Sequence, residues 1–258
     1  MPDWNASQYL RFEDERTRAA RDLLAQVPLT GVRTAIDLGC GPGNSTELLL
    51  ERYPAARVIG LDSSPDMLHQ ARSRLPRCSF IEADLADWQP EEPADLVFAN
   101  AVFQWVPDHQ SVMARIVKAL PEGGVFAAQL PDNTAEPSHV LMREVAGTLK
   151  GMSGANQGNG TAARDSLPAP ESYYDLLKPI CRRLEIWHTI YNHVMEGPEA
   201  IVEWFRGSAL RPFLAGLDTQ ATGEFLSAYT SEISRHYKAR FDGRVLLRFP
   251  RLFIVALK

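Results

Sequence analysis

The chain has 258 residues, 45% apolar and 23% charged, enough to bury one substantial core or a core with an inserted subdomain. A formal net charge of -5 argues against general affinity for nucleic acid or an anionic membrane, so an anionic ligand would need a local group of arginines. The three cysteines, Cys40, Cys78 and Cys181, are odd in number and widely spaced, which fits neither a disulfide framework nor a structural zinc site and suits a reducing cytoplasm.

The aromatic-dotted N-terminus lacks the apolar core of a signal peptide, and no later run approaches the ~20 apolar residues of a membrane span. Residues 13–27 repeat apolar positions at helical spacing. From there strands and helices alternate. "TAIDL" (34–38) reads as a strand and "NSTELLLERY" (44–53) as a helix with Asn44 or Ser45 near its cap. "ARVIGLD" (56–62) is a second strand, and "SSPDMLHQARSRL" (63–75) is a helix behind serines with Pro65 in its first turn. "CSFIEAD" (78–84) and "ADLVFAN" (94–100) are strands. "DHQSVMARIVKAL" (108–120) is a helix, and "VFAAQL" (125–130) is a strand. Short apolar strands between amphipathic helices predict βαβ units, with helices on both faces of a parallel sheet.

The rhythm changes after about 131. "EPSHVLMREVAGTLK" (136–150) is a helix, and the glycine-rich stretch that follows predicts a mobile loop over 151–169 of the kind that lies over a site. "PESYYDLLKPI" (170–180) is a helix and "RRLEIWHTIYNHVM" (182–195) a sixth strand. Residues 197–240 are interrupted helix, and "GRVLLRFPRLFIVALK" (243–258) is one long strand or one bulged at Pro250. The predicted fold is α/β, a doubly wound, mostly parallel sheet with a helical cap inserted before the last strand. Its parts are an N-terminal segment and helix (1–30), a ligand-binding core (31–135), substrate-side helices, loop, sixth strand and cap (136–243), and a final strand returning to the sheet (244–258).

In such a sheet, ligands bind beyond the carboxyl ends of the strands. Gly39, Gly41 and Gly43 make the turn after the first strand, where backbone can approach a ligand with no β-carbon between. The spacing is G-x-G-x-G, and Asn44 stands where the dinucleotide fingerprint wants glycine or alanine. Asp37, just before the loop, would oppose a pyrophosphate. Both features disfavour NAD and favour a ligand with a positive group here. Asp62 ends the second strand, where a carboxylate takes ribose hydroxyls. Asp84 ends the third, within reach of an adenine amino group, with Leu85 and Trp88 offering apolar faces to the ring. Asn100 ends the fourth and can meet the amino-acid end of a ligand.

This set resembles the class I S-adenosylmethionine-dependent methyltransferases over residues 30–130. Further motifs extend the likeness over nearly the whole chain: "DWNASQYLRFEDER", "NAVFQWVPDH", "PDNTAEPSHVLMREVA", "LRPFL" and "FPRLFIVA" resemble a branch that methylates the carboxylate of a small tricarboxylic acid. The resemblance implies S-adenosylmethionine as cofactor. Its binding set is Asp37, Gly39, Cys40, Gly41, Gly43, Asp62, Ser63, Asp84, Leu85 and Asn100, with Trp4 and Tyr9 folding over it. It also implies a small-molecule carboxylate as substrate, no metal and no nucleic-acid or membrane partner. A carboxylic acid with a pKa of about 4 is already ionised at neutral pH, so no general base is nominated. Arginine's planar fork suits carboxylates. Arg143 and Arg211 are the first candidates to hold the acceptor, ahead of Arg206, Arg244 and Arg251. His139 could touch substrate, and Trp105 could form a pocket wall. The competing readings are methylation of another small acid, a phenol or a quinone, and a cofactor-binding protein without turnover.

Overall fold

The structure, a computed structural model, describes residues 12–90, 92–149 and 164–258. Trp4, Tyr9 and residues 151–163 of the glycine-rich stretch lie outside them. The elements are α1 (Glu13–Ala25), β1 (Thr34–Leu38), α2 (Asn44–Arg52), β2 (Arg57–Asp62), α3 (Pro65–Arg74), β3 (Ser79–Glu82), β4 (Leu96–Asn100), α4 (His109–Ala119) and β5 (Val125–Pro131). They continue with α5 (Pro137–Thr148), α6 (Pro170–Leu177), β6 (Arg183–Met195), α7 (Pro198–Arg206), α8 (Arg211–Leu214), α9 (Thr219–His236) and β7 (Val245–Leu257). The strands form one sheet in the order β3-β2-β1-β4-β5-β7-β6. Pairings from β3 to β5 are parallel, and β7 runs antiparallel to β5. The α/β expectation holds, with order reversing at β1/β4.

The described chain divides into two compact units. The first comprises residues up to Pro131, Leu167–Thr189 and Arg251–Lys258; the second comprises Asp132–Ser166 and Ile190–Pro250. In the first, β1, β4 and β5 are buried on both faces, which their near-continuous apolar runs require. Ile36, Val97, Ala99, Phe126 and Ala128 look to one side, where Met113 and Val117 of α4 and Tyr173 and Leu177 of α6 complete the core. On the other side α1 packs against α2 and β5. In the second unit α9 packs on α5 and α7. Its core is aromatic: Trp204, Phe205, Phe225 and Tyr229 are each at most 2% exposed.

Helix caps follow the sequence with one correction. Ser64 caps α3 as predicted, its hydroxyl accepting from Met67 N at 3.3 Å. Neither Asn44 nor Ser45 caps α2. The cap is Gly43, left-handed at φ 94°, with no side-chain cap bond, because the Ser45 hydroxyl is drawn instead to Asp37.

The turn that leads from β1 into α2 depends most on Gly39. Its φ is 64°, and a β-carbon there would sit 2.4 Å from Val102 Cγ2 and 2.5 Å from Val102 Cβ. The side chain just beyond the tip of β4 therefore fills the space that a Cβ would occupy. Gly39→Ala should displace the turn and abolish binding of a nucleoside ligand in titration calorimetry. Adding Val102→Gly, which removes the β-carbon as well as both methyls, should restore part of the affinity, leaving the left-handed backbone penalty of roughly 1–2 kcal/mol. No recovery in the double variant would mean that the contact with Val102 is not what requires glycine.

Candidate active site

Asp37, the fourth residue of β1, is fully buried. Its Oδ2 accepts from Ser45 Oγ and Thr46 Oγ1, each at 2.7 Å, which ties the strand to the first turn of α2. Oδ1 has no hydrogen-bond partner among the described residues. Burial raises its pKa from 3.8 to about 7; the two hydroxyls pull it down and the charge of Asp62 pushes it further up. The group is thus poised between its neutral and charged forms near neutral pH, where a nearby cation would draw it toward the carboxylate.

Asp62, at the end of β2, faces the same turn. Its Oδ2 accepts from Gly41 N and its Oδ1 from Ser64 N, both at 2.9 Å. The carboxylate thus shapes the loop from below, while Gly41, at φ 53°, has open space where a β-carbon would be. The Cys40 amide donates to Leu61 O at 2.8 Å and its thiol is buried, with its pKa raised by burial. Cys40 is a wall of the turn and inert. Ser63 is exposed beside these groups.

Asp84 lies two residues past β3, and its Oδ1 accepts from Ala86 N at 2.9 Å, folding residues 84–88 into a tight loop. Asp84 itself is exposed. The side chain of Leu85 is 5% exposed and belongs to the core, so the apolar face expected of it is turned inward; Trp88 is half-buried against the same core. Asn100 ends β4 and accepts at Oδ1 from Gln129 Nε2 at 3.2 Å. The next residue, Ala101, has φ 57°, a left-handed alanine at the strand tip. Trp105 follows in a short 3-10 turn, 38% exposed. Four of these elements, β1 to β4, deliver Asp37, Asp62, Asp84 and Asn100 to the carboxyl ends of neighbouring parallel strands. Three carboxylates and one amide, with an orphaned buried oxygen on Asp37, fit a ligand carrying an ammonium and a sulfonium better than a diphosphate.

The second unit holds the cations. His139 and Arg143 lie four apart on α5 and share a face. Arg143 donates to Thr134 O at 2.9 Å, and Arg164 donates to Asn133 Oδ1. Burial lowers the His139 pKa to about 3, with the charges of Arg164 and Arg143 lowering it further, so this imidazole is neutral at any working pH. It stacks edge-on to Phe205 at 4.9 Å. Burial also lowers the Arg164 pKa to about 10, against the opposing charge of Asp132. Arg143 and His139 are thus brought together as neighbours of a third group, Arg164. Arg211 opens α8 and is half-buried.

Four contributors were missed in the sequence. Ser45 reads as a cap candidate and Thr46 is not singled out, although their spacing of eight and nine from Asp37 on a strand-turn-helix places them opposite it. Arg115 on α4 donates to the carbonyls of Ala86 at 2.7 Å, Trp88 at 3.2 Å and Leu85 at 3.3 Å, clamping the loop after β3. An arginine amid "SVMARIVKAL" is a detectable signal, since its apolar neighbours face the core. Arg164 sits in a stretch that carries no periodicity.

The description "methyltransferase domain" fits residues 35–124. The trans-aconitate 2-methyltransferase of Rhodopseudomonas palustris strain BisB18 is 57% identical over 258 residues, 100% of each chain. That of Rhizobium etli is 57% identical over 257 residues and that of Agrobacterium fabrum 52% over 257 residues, each covering 99% of both chains. Among solved structures, phosphoethanolamine N-methyltransferase 2 of Haemonchus contortus, in complex with S-adenosyl-L-methionine, has a TM-score of 0.60 at 18% identity. It matches 97% of this chain and 56% of its own length. The YcgJ protein of Bacillus subtilis has a TM-score of 0.60 at 10% identity, covering 93% and 98%. These two share the fold. With more than half its residues in common from end to end with the curated enzymes, the chain belongs to the trans-aconitate 2-methyltransferases, a family of S-adenosylmethionine-dependent methyltransferases.

Proposed function

We propose that the protein transfers a methyl group from S-adenosylmethionine to a carboxylate oxygen of trans-aconitate, forming its monomethyl ester in a reducing cytoplasm. The observation that carries this reading is the end-to-end likeness to the curated enzymes, which extends well past residues 35–124 into the segment holding Arg143 and Arg164. When bound, the cofactor supplies a methyl group on a positively charged sulfur. Asp62 would receive the ribose hydroxyls, Asp84 the adenine amino group, and the Gly39–Gly43 turn the amino-acid end, with Asp37 facing its ammonium through the field. Ser63 and the Cys40 backbone line the same turn. In this reading Arg143 and Arg164 hold carboxylates of the acceptor and neutral His139 offers it a hydrogen bond.

The acceptor arrives ionised, so the residues need not remove a proton. Their work is alignment and exclusion of water. Holding the carboxylate oxygen in line with the methyl can supply roughly 7–11 kcal/mol of the barrier. The acceptor's negative charge and the sulfonium's positive charge cancel as the methyl moves, so a dry site lowers the barrier where water would hold the charges apart. A panel of di- and tricarboxylic acids with labelled methyl donor tests the assignment. Trans-aconitate should lead it, and a phenol outranking it would overturn the acceptor assignment.

Replacing Arg143 or Arg164 by alanine should raise the Michaelis constant for trans-aconitate by roughly ten- to hundred-fold, the cost of a lost hydrogen bond to charge, with little change in that for the cofactor. Arg211→Ala, at the start of α8, is measured alongside them. Equal effects on both Michaelis constants would remove the residue concerned from the acceptor site.

Asp37 gives a pH signature. With its pKa raised to about 7, the folded protein holds an extra proton between pH 4 and 7, so its contribution to stability falls as pH rises through that window. A cationic ligand favours the carboxylate and lowers that pKa. Binding of S-adenosylhomocysteine, which keeps the ammonium, should therefore release roughly half a proton at pH 7 and almost none at pH 8.5. Calorimetry in buffers of different ionisation enthalpy measures this directly. The release should vanish in Asp37→Asn; its persistence there would assign the proton to another group.

A further inference from the structure

Asn100, Gln129 and Arg251 stand on three adjacent strands, β4, β5 and β7. The parallel register pairs Asn100 with Gln129, and the antiparallel register pairs Gln129 with Phe253. Arg251, two residues before Phe253, is thus the diagonal neighbour of Gln129 on the same face of the sheet. Gln129 is 0% exposed and Arg251 3%. Arg251 Nη1 donates to Gln129 Oε1 at 2.6 Å, and Gln129 Nε2 donates in turn to Asn100 Oδ1 at 3.2 Å. The Gln129 carbonyl also accepts from Ala101 N at 2.9 Å, so the strand tip is held on both sides.

The direction of this chain is forced. A guanidinium has donors and no acceptor, so the carbonyl end of the Gln129 amide must face Arg251. Its NH2 end then faces Asn100, which must present oxygen to it. The end of Asn100 left over is Nδ2, a donor, and no hydrogen bond among the described residues takes it. We propose that Arg251 and Gln129 are positioning residues that fix the polarity of Asn100, so that the tip of β4 presents an N–H donor to a carboxylate. An amide free to turn would offer either end; this one offers only the end that attracts an anion. The inference rests on the functional reading above in taking the ligands to be carboxylates. Two carboxylates are available, that of the cofactor's amino-acid end and that of the acceptor.

Gln129→Glu tests the polarity while preserving shape. A glutamate keeps its partner Arg251 and has no donor, so the Asn100 amide must turn its NH2 toward residue 129 and its oxygen toward the ligand. Three quantities are measured on the full chain: the dissociation constants of S-adenosylhomocysteine and of 5'-methylthioadenosine, which lacks the amino-acid carboxylate, and the Michaelis constant for trans-aconitate at saturating cofactor. If the cofactor's carboxylate is the ligand, S-adenosylhomocysteine weakens by roughly ten- to hundred-fold and methylthioadenosine is unchanged. If the acceptor's is, the Michaelis constant rises by that factor with both nucleosides unchanged. No change in any of the three, or equal weakening of both nucleosides, overturns the proposal. Asn100→Asp, at a half-buried position, reverses the same end directly and should give the same selective loss if Gln129→Glu fails to fold. Wild-type inactivity on trans-aconitate would strike the functional reading alone, since the contrast between the two nucleosides is read without turnover.

Discussion

The site hangs on a buried carboxylate. Asp37 is enclosed in the sheet, and its charged form is disfavoured there, yet it is held by two hydroxyls from the first turn of the following helix. Those bonds fix how closely α2 approaches β1, and so leave only a tight turn between them. A tight turn in left-handed backbone, with Val102 against it, admits glycine at 39. The glycines that look like a cofactor motif are in this sense a consequence of Asp37. A buried polar group is tolerated when its partners are complete, and here one oxygen remains to be completed by a cation's field.

The same face of the sheet carries the other polar groups. Ala35 pairs with Leu96 and Asp37 with Phe98, so Asn100 lies one step further along that face, and Gln129 and Arg251 continue it across β5 and β7. The opposite face is apolar, through Ile36, Val97, Phe126 and their neighbours. Period-two alternation therefore sorts the domain into a packing face and a functional face. Because both are buried, each polar side chain on the functional face must find a partner within the sheet, and the partners it finds determine which end it shows to a ligand.

Much of this was legible in the sequence, for physical reasons. Short apolar strands between amphipathic helices leave little freedom in topology, and a carboxylate or amide at the end of each strand marks the binding edge. Asp37, Asp62, Asp84 and Asn100 could be placed because strand ends are where the hydrophobic run stops. Partnerships across the sheet could not. Gln129 looks like a lapse in "VFAAQL" until β7 brings Arg251 beside it, 122 residues later in the chain. Leu85 is buried in the core, and Arg115 holds three carbonyls of its loop, a partnership that position alone does not show. Ser45 was assigned to capping because serine before a helix usually caps it, and the nearer attraction of a buried carboxylate won.

Charge is arranged by locality rather than in sum. The net charge of -5 would repel a tricarboxylate, and the residues around the glycine turn are acids. The arginines that oppose this, Arg143 and Arg164, follow β5 in the chain and are partly withdrawn from water; Arg143 donates to a backbone oxygen and Arg164 to an amide oxygen, with the charge of Asp132 also acting on Arg164. A guanidinium engaged by a neutral oxygen retains its full charge for a ligand, whereas one in a salt bridge has already spent it. Arg248, which pairs with Glu136 in the same unit, is of the second kind. Sorting the arginines by their hydrogen-bond partners, and not by their position in the chain, separates those that donate to neutral oxygens from those already in an ion pair.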